Sequence, residues 1–157
     1  MIANFNGIFY LILNILILLL FTMYVFRIIF APAGLAKEFN MDKSSIFIIR
    51  YLGCFGLATL FIGVYILFRP NGPQGTWVFY NFLFLVALFN LIYDFVYYFK
   101  LVDKDIGAKN SKMDLGASTF LTASSAILIV GLSDKIYMWF LWWAFYAHQF
   151  LIKLLNQ

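Results

Sequence analysis

The chain has 157 residues, 64% of them hydrophobic and 22% aromatic, with only 11% charged and a formal charge of +4 from 11 Lys and Arg against 7 Asp and Glu. A globular domain is about 45–50% apolar and about 25% charged, and a water-soluble body of this length has too small an interior to hide the excess. One cysteine, three prolines and no glycine period exclude disulfide scaffolds and collagen-like fibres, and the apolar content excludes disorder, which leaves an integral membrane protein built as an all-α helical bundle.

A helix crosses a hydrocarbon core of about 30 Å with about 20 apolar residues. The first such run covers 7–30 and is interrupted only by Asn14 and Thr22. Ala31-Pro32-Ala33 offers a small-x-small site. No Lys or Arg precedes the run, however, and it exceeds the roughly 7–15 residues of a leader's apolar region, so a span is expected here and not a secretory signal. Ala31-Pro32-Ala33-Gly34 ends the span, because proline lacks a donor and fixes φ. A polar segment with Lys37, Glu38, Asp42 and Lys43 follows, in which Asp42 or Ser44 is placed to cap the next helix.

The second span covers 46–68. Gly53, Gly56 and Gly63 share one side of it and predict close approach of a neighbouring helix within the bundle. Arg69-Pro70-Asn71-Gly72-Pro73-Gln74-Gly75 is dense in turn formers, and Trp77 beyond it suits an interfacial anchor of the third span, 77–99. The loop 100–114 carries seven charges. The remaining run to Leu155 is too long for one crossing and is cut by Ser133-Asp134-Lys135, so it reads as spans 115–132 and 136–155, five in all, or four if these two do not both cross. Gly116, Ala117, Ala123, Ser124, Ser125 and Ala126 suit a small-residue packing seam on the fourth, and Trp139, Trp142, Trp143 and Tyr146 form a broad aromatic face on the fifth. No linker or repeat divides the chain, so 1–157 is expected to be one bundle.

Basic residues give the orientation. Arg27, Lys37, Lys43, Arg50, Lys100, Lys104, Lys109, Lys112 and Lys153 fall on one side of a five-span arrangement, and only Arg69 and Lys135 on the other. The positive-inside rule then places the N-terminus outside and the C-terminus in the cytoplasm of a bacterial-type inner membrane. The basic residues are spread among the loops, which argues for orientation and against nucleic acid as a partner.

Ionisable groups inside a span cost about 2.5–3.5 kcal/mol each on insertion scales, so each calls for a partner or a role. Arg27, Arg50, Asp94 and His148 all fall in the cytoplasmic half, and Asn90, Asp94 and Tyr97 lie at i, i+4 and i+7 on one helix face. This predicts an intramembrane polar cluster of Arg27, Arg50, Asn90, Asp94, Tyr97 and His148, with Asp94 paired to Arg50 or Arg27. The cluster either fixes helix register or lines a cavity in which the arginines hold an anion and Asp94 or His148 moves a proton. A single histidine excludes bis-histidine haem within one chain and the common multi-ligand metal sites. No lysine sits deep in a span for a retinal Schiff base, and the residues name no cofactor.

The segment Pro32 to Met41, with its Pro32-x-x-Leu35-Ala36-x-x-Phe39 pattern, followed by Arg50 and Gly53-Cys54-Phe55-Gly56, resembles a bacterial family of small uncharacterised multi-span membrane proteins. The resemblance covers about a third of the chain and implies a helical bundle and a role for Arg50. The function expected first is a non-catalytic subunit of a larger or homo-oligomeric membrane assembly, with the lipid bilayer and other subunits or copies of itself as partners. A transporter or channel with a cavity on the cytoplasmic side is the alternative, and a small membrane enzyme acting on a lipid-like substrate is a third.

Overall fold

The computed structural model describes residues 1–103 and 112–138, and all regular structure among them is helical. A 3₁₀ turn, Ile2–Phe5, leads into α1 (Ile8–Phe30); then follow α2 (Pro32–Glu38), α3 (Ser45–Phe68), α4 (Trp77–Tyr98), α5 (Lys112–Gly131) and the single turn α6 (Ser133–Ile136). Helices α1, α3, α4 and α5, of 20 to 24 residues, are each long and apolar enough to cross a membrane. They match the first four predicted spans within three residues at either end. The predicted fifth span, 136–155, lies outside the described residues beyond Met138, as do His148 and the tryptophans at 139, 142 and 143.

Two predicted breaks are helical. Pro32 occupies the first turn of α2, where its missing N–H has no intrahelical role. The pattern that carried the family resemblance has a local explanation here: Pro32, Leu35, Ala36 and Phe39 stand at i, i+3, i+4 and i+7, the apolar stripe of a short amphipathic helix. Leu35 and Ala36 are buried with Ile28 of α1 and Ile49 of α3, and Phe39 packs against them. Similarly, Ser133-Asp134-Lys135 is the start of α6 and not a plain turn. Ser44 does take the N-cap position of α3, though its side chain makes no capping bond.

Helix α3 packs along α1, and α4 packs still more extensively on α5; the two pairs meet where α1 touches α5. The α1–α3 seam is the one expected from the glycines. A Cβ on Gly53 would stand 2.7 Å from Ile28 Cγ2 and 2.9 Å from Ile29 Cγ1, on Gly56 2.9 Å from Val25 Cγ2, and on Gly63 2.5 Å from Leu18 Cδ2. Ile28 Cγ2 is fixed to its own β-carbon and cannot swing aside, whereas Leu18 Cδ2 is the end of a mobile side chain. Gly53→Ala is therefore expected to lose about 1 kcal/mol net of its gain in helix propensity, and Gly63→Ala less, where besides Leu18 only the tip of the Phe79 ring, 3.1 Å away, has to give by a few tenths of an ångström. Equilibrium unfolding in mixed detergent–SDS micelles reads both; equal losses would contradict this seam.

The α5 seam is more polar than expected. Ser118, Thr122, Ser125 and Leu128 face inward together with Ser124, whereas Gly116, Ala117 and Ala123 are exposed. Thr122 and Ser125 return their hydroxyls to the carbonyls of Ser118 and Leu121, at 2.8 and 2.6 Å. Satisfied within their own helix, they pack as small residues do.

The main buried cluster lies at the end of the bundle where α1 and α4 begin and α3 and α5 finish. Phe5, Tyr80, Leu128, Leu132 and Ile136 are fully buried there, joined by Leu11, Leu13, Ile17, Ile66 and Leu83. Over it the connecting segments are tied together: Asn4 donates to the Pro70 carbonyl, Asn6 to the Gly131 carbonyl and to Asp134, and Gly75 N–H to the Lys135 carbonyl. Gly72 allows this closure, with φ of 55° and a Cβ position only 2.8 Å from Asn4 Cβ.

Candidate functional site

The opposite end, where α1 and α4 finish and α3 and α5 begin, carries Arg27, Lys37, Lys43, Arg50, Lys100 and Lys112. The closed end has Arg69 and Lys135 among the described residues. Arg69 is occupied there, donating from Nε and Nη2 to the carbonyls of Gly72 and Gln74 inside its own turn.

Of the residues predicted to form one polar cluster, the five described ones, Arg27, Arg50, Asn90, Asp94 and Tyr97, share this charged end but divide among three places. Arg27, in the last turn of α1, pairs with Glu38 at the end of α2, and so ties the short helix to the first span. The acid that Arg27 meets is thus Glu38 and not Asp94, because a short helix stands where the sequence suggested a polar connecting segment. Both partners are well exposed, at 49% and 35% for their side chains, so Glu38→Gln is expected to cost at most about 1 kcal/mol in the same unfolding measurement.

Asp94 belongs to the α4–α5 interface. The inward stripe of α4 is Tyr80, Leu83 and Ala87, and Asp94 continues it seven residues further on. It is half-buried and lies opposite Ser118 of α5, whose hydroxyl also returns to the carbonyls of Asp114 and Leu115 at 3.1 and 3.2 Å. Tyr24 of α1 stands within electrostatic range of Asp94, Asp114 and Arg27. Asn90 lies at the edge of the stripe and is exposed. Tyr97 is half-buried and stacks on Tyr93 with ring centroids 6.1 Å apart, and Tyr93 donates to Asp103 Oδ2 at 2.8 Å, holding the chain just beyond α4.

Arg50 stands apart from both groups. The buried side of α3 is Ile49, Gly53, Leu60 and Gly63, and Arg50 projects from a different face into an open groove of about 590 Å³ lined by Lys43, Ser44, Ile46, Phe47, Tyr51 and Cys54. Of the chain's three arginines it alone makes neither an ion pair nor a hydrogen bond among the described residues.

The sequence reading also missed the polar contacts nearer the closed end. Tyr80 Oη donates to Asn14 Oδ1 at 3.0 Å between α4 and α1, and both residues are buried. Asn81 and Tyr137 exchange hydrogen bonds of 2.8 and 3.0 Å. Asn14 and Asn81 were the visible signals, as amides within apolar runs. Among the described residues no three His, Cys, Asp or Glu side chains gather to hold a metal ion. Compared with protein-family models, curated proteins and solved structures, the chain finds no match.

Proposed function

We propose that this protein is a non-catalytic subunit of a membrane assembly, either homo-oligomeric or larger, in a bacterial-type inner membrane, with its charged end toward the cytoplasm. The observation that carries this reading is the use made of the polar side chains. Asn14 with Tyr80, Asn81 with Tyr137 and Arg27 with Glu38 each join one segment to another, and Arg69 braces its own turn, as polar contacts in a packing unit do. Large apolar side chains stay exposed along whole helix faces, among them Phe47, Tyr51, Phe55, Phe61 and Tyr65 of α3 and Phe82, Phe89 and Phe95 of α4. These faces suit lipid or neighbouring subunits equally well. The orientation follows from six described basic residues at one end against two at the other, and a fifth span over 136–155 would put the C-terminus on the charged side.

The test is the mass of the detergent-solubilised particle together with the proteins that copurify with it. Stoichiometric foreign subunits or a defined multiple of the 18.2 kDa chain support the proposal, and a monodisperse monomer without partners overturns it. Reporter fusions after residues 43 and 74 test the orientation, with a cytoplasmic signal expected from the first only.

A second reading, a transporter with a cavity open to the cytoplasm, is favoured by Asp94, Asp114 and Tyr24 meeting at the charged end. The fully buried cluster of Phe5, Tyr80, Leu132 and Ile136 would then be the closed outer gate. Substrate-dependent flux into proteoliposomes would favour this reading over the first.

A further inference from the structure

We infer that the α3 groove holding Lys43 and Arg50 is a binding site for the headgroup of an anionic phospholipid of the cytoplasmic leaflet. The inference rests on the membrane reading and on the proposed orientation, and is independent of the assembly.

Charge and position both point to this occupant. The groove lining contains two cations, the Ser44 hydroxyl and no carboxylate. Lys43, in the turn that leads into α3, and Arg50, in the second turn of the helix, line the same groove with Phe47 between them in the chain. A phosphodiester seated against Arg50 takes two parallel N–H donors from the guanidinium, a geometry that Lys43 supplements as a point charge. Elsewhere in the chain the arginines have protein acceptors: Arg27 has Glu38 and Arg69 has two carbonyls. Arg50 has none among the described residues, which leaves its guanidinium open there to an acceptor from the bilayer.

Arg50 lies five residues beyond the start of α3, about 7.5 Å along the axis. At that depth its long stem reaches back to the headgroup level while its methylenes stay in the apolar layer. The same helix exposes a ridge of Phe47, Tyr51 and Phe55 that starts at the level of the cations and runs toward the bilayer centre, the first two rings stacked 6.4 Å apart and the next pair edge-on at 5.4 Å. This ridge gives acyl chains an apolar wall beside and beyond Arg50. A soluble anion would gain nothing from it, and for that reason the occupant is taken to be a lipid and not free phosphate.

The experiment is native mass spectrometry of the full chain in mild detergent, equilibrated with equal amounts of phosphatidylglycerol and phosphatidylcholine. Two cations near a headgroup are expected to favour phosphatidylglycerol by about thirtyfold. Arg50→Gln and Lys43→Gln should each reduce that preference about fivefold, and the double variant should abolish it. Arg50→Lys should keep most of it, which separates a lost charge from a lost fold. Lys37→Gln, on exposed α2 at the same end, should leave it unchanged. Equal binding of the two lipids by the wild-type chain would overturn the proposal. So would an unaltered preference in Arg50→Gln, a loss in Lys37→Gln as large as that in Arg50→Gln, or displacement of the lipid by millimolar inorganic phosphate. Particle mass and lipid preference are separate readouts, so the subunit reading and this site fail independently.

Discussion

Truncating Tyr80 to alanine is expected to lower stability by about 3–5 kcal/mol, the range for removing a buried aromatic ring from a packed core. Tyr80 has no exposed surface and sits where α1, α4 and α5 converge, among Leu13, Ile17, Leu83, Leu128 and Leu132. The loss has two parts that separate by mutation. Tyr80→Phe keeps the ring and removes only the donor to Asn14, an interhelical bond worth about 0.6–1.7 kcal/mol in membrane proteins. Adding Asn14→Leu to Tyr80→Phe replaces both polar groups by apolar ones, and should recover part of that smaller loss because no buried amide oxygen is then stranded. Unfolding curves in mixed detergent–SDS micelles for the wild type, two single variants and the double variant form the cycle. A Tyr80→Ala variant within 1 kcal/mol of wild type would show that this ring does not anchor the closed end.

Gly131→Val is expected to cost about 2–3 kcal/mol by overpacking. A Cβ at Gly131 would fall within the ring of Tyr10, a planar group on the first turn of α1 that has no flexible end to fold away. The same glycine accepts a 3.0 Å hydrogen bond from Asn6 through its carbonyl, so pushing the helices apart also strains the tie between the N-terminal segment and the end of α5. Gly116, on the same helix, has nothing within 4 Å of its Cβ position, and Gly116→Ala is expected to gain about 0.5–1 kcal/mol from propensity alone. Combining Gly131→Val with Tyr10→Ala should return most of the loss. Failure of that rescue would mean that the two residues are not packed against each other.

The four described spans were legible because each is a local property: a run of apolar residues of bilayer length, ended by proline, glycine or clustered charge. The glycines of α3 were legible for a related reason, since small residues at helical spacing are how helices approach closely in lipid, where no hydrophobic force drives them together. α2 was taken for a loop because seven residues hold only one apolar stripe, and its polar members, Lys37 and Glu38, dominate its composition. That reading removed Glu38 from the list of partners and left Arg27 to be assigned to Asp94. On α5 the expected seam of Gly116, Ala117, Ala123, Ser124, Ser125 and Ala126 holds for the two serines, while Ser118 and Thr122 join them in place of Gly116, Ala117 and Ala123, their donors satisfied by the helix itself.

The sequence by itself determined how far along its helix each described polar residue stands. Helix rise is fixed at about 1.5 Å per residue, so the count from a helix end gives the distance along its axis. Arg27, Arg50 and Asp94 do stand at one end of the bundle, as that arithmetic requires. The tertiary structure decided which neighbour each one faces. Helical periodicity tells which residues share a face, but it cannot say what lies opposite that face. That depends on the pairing of α3 with α1 and of α4 with α5, which is set by close packing at Gly53, Gly63 and the serine-rich face of α5. Groups at one depth were thereby sent to three destinations: Arg27 to Glu38, Asp94 to Ser118, and Arg50 to an open groove on the side of α3.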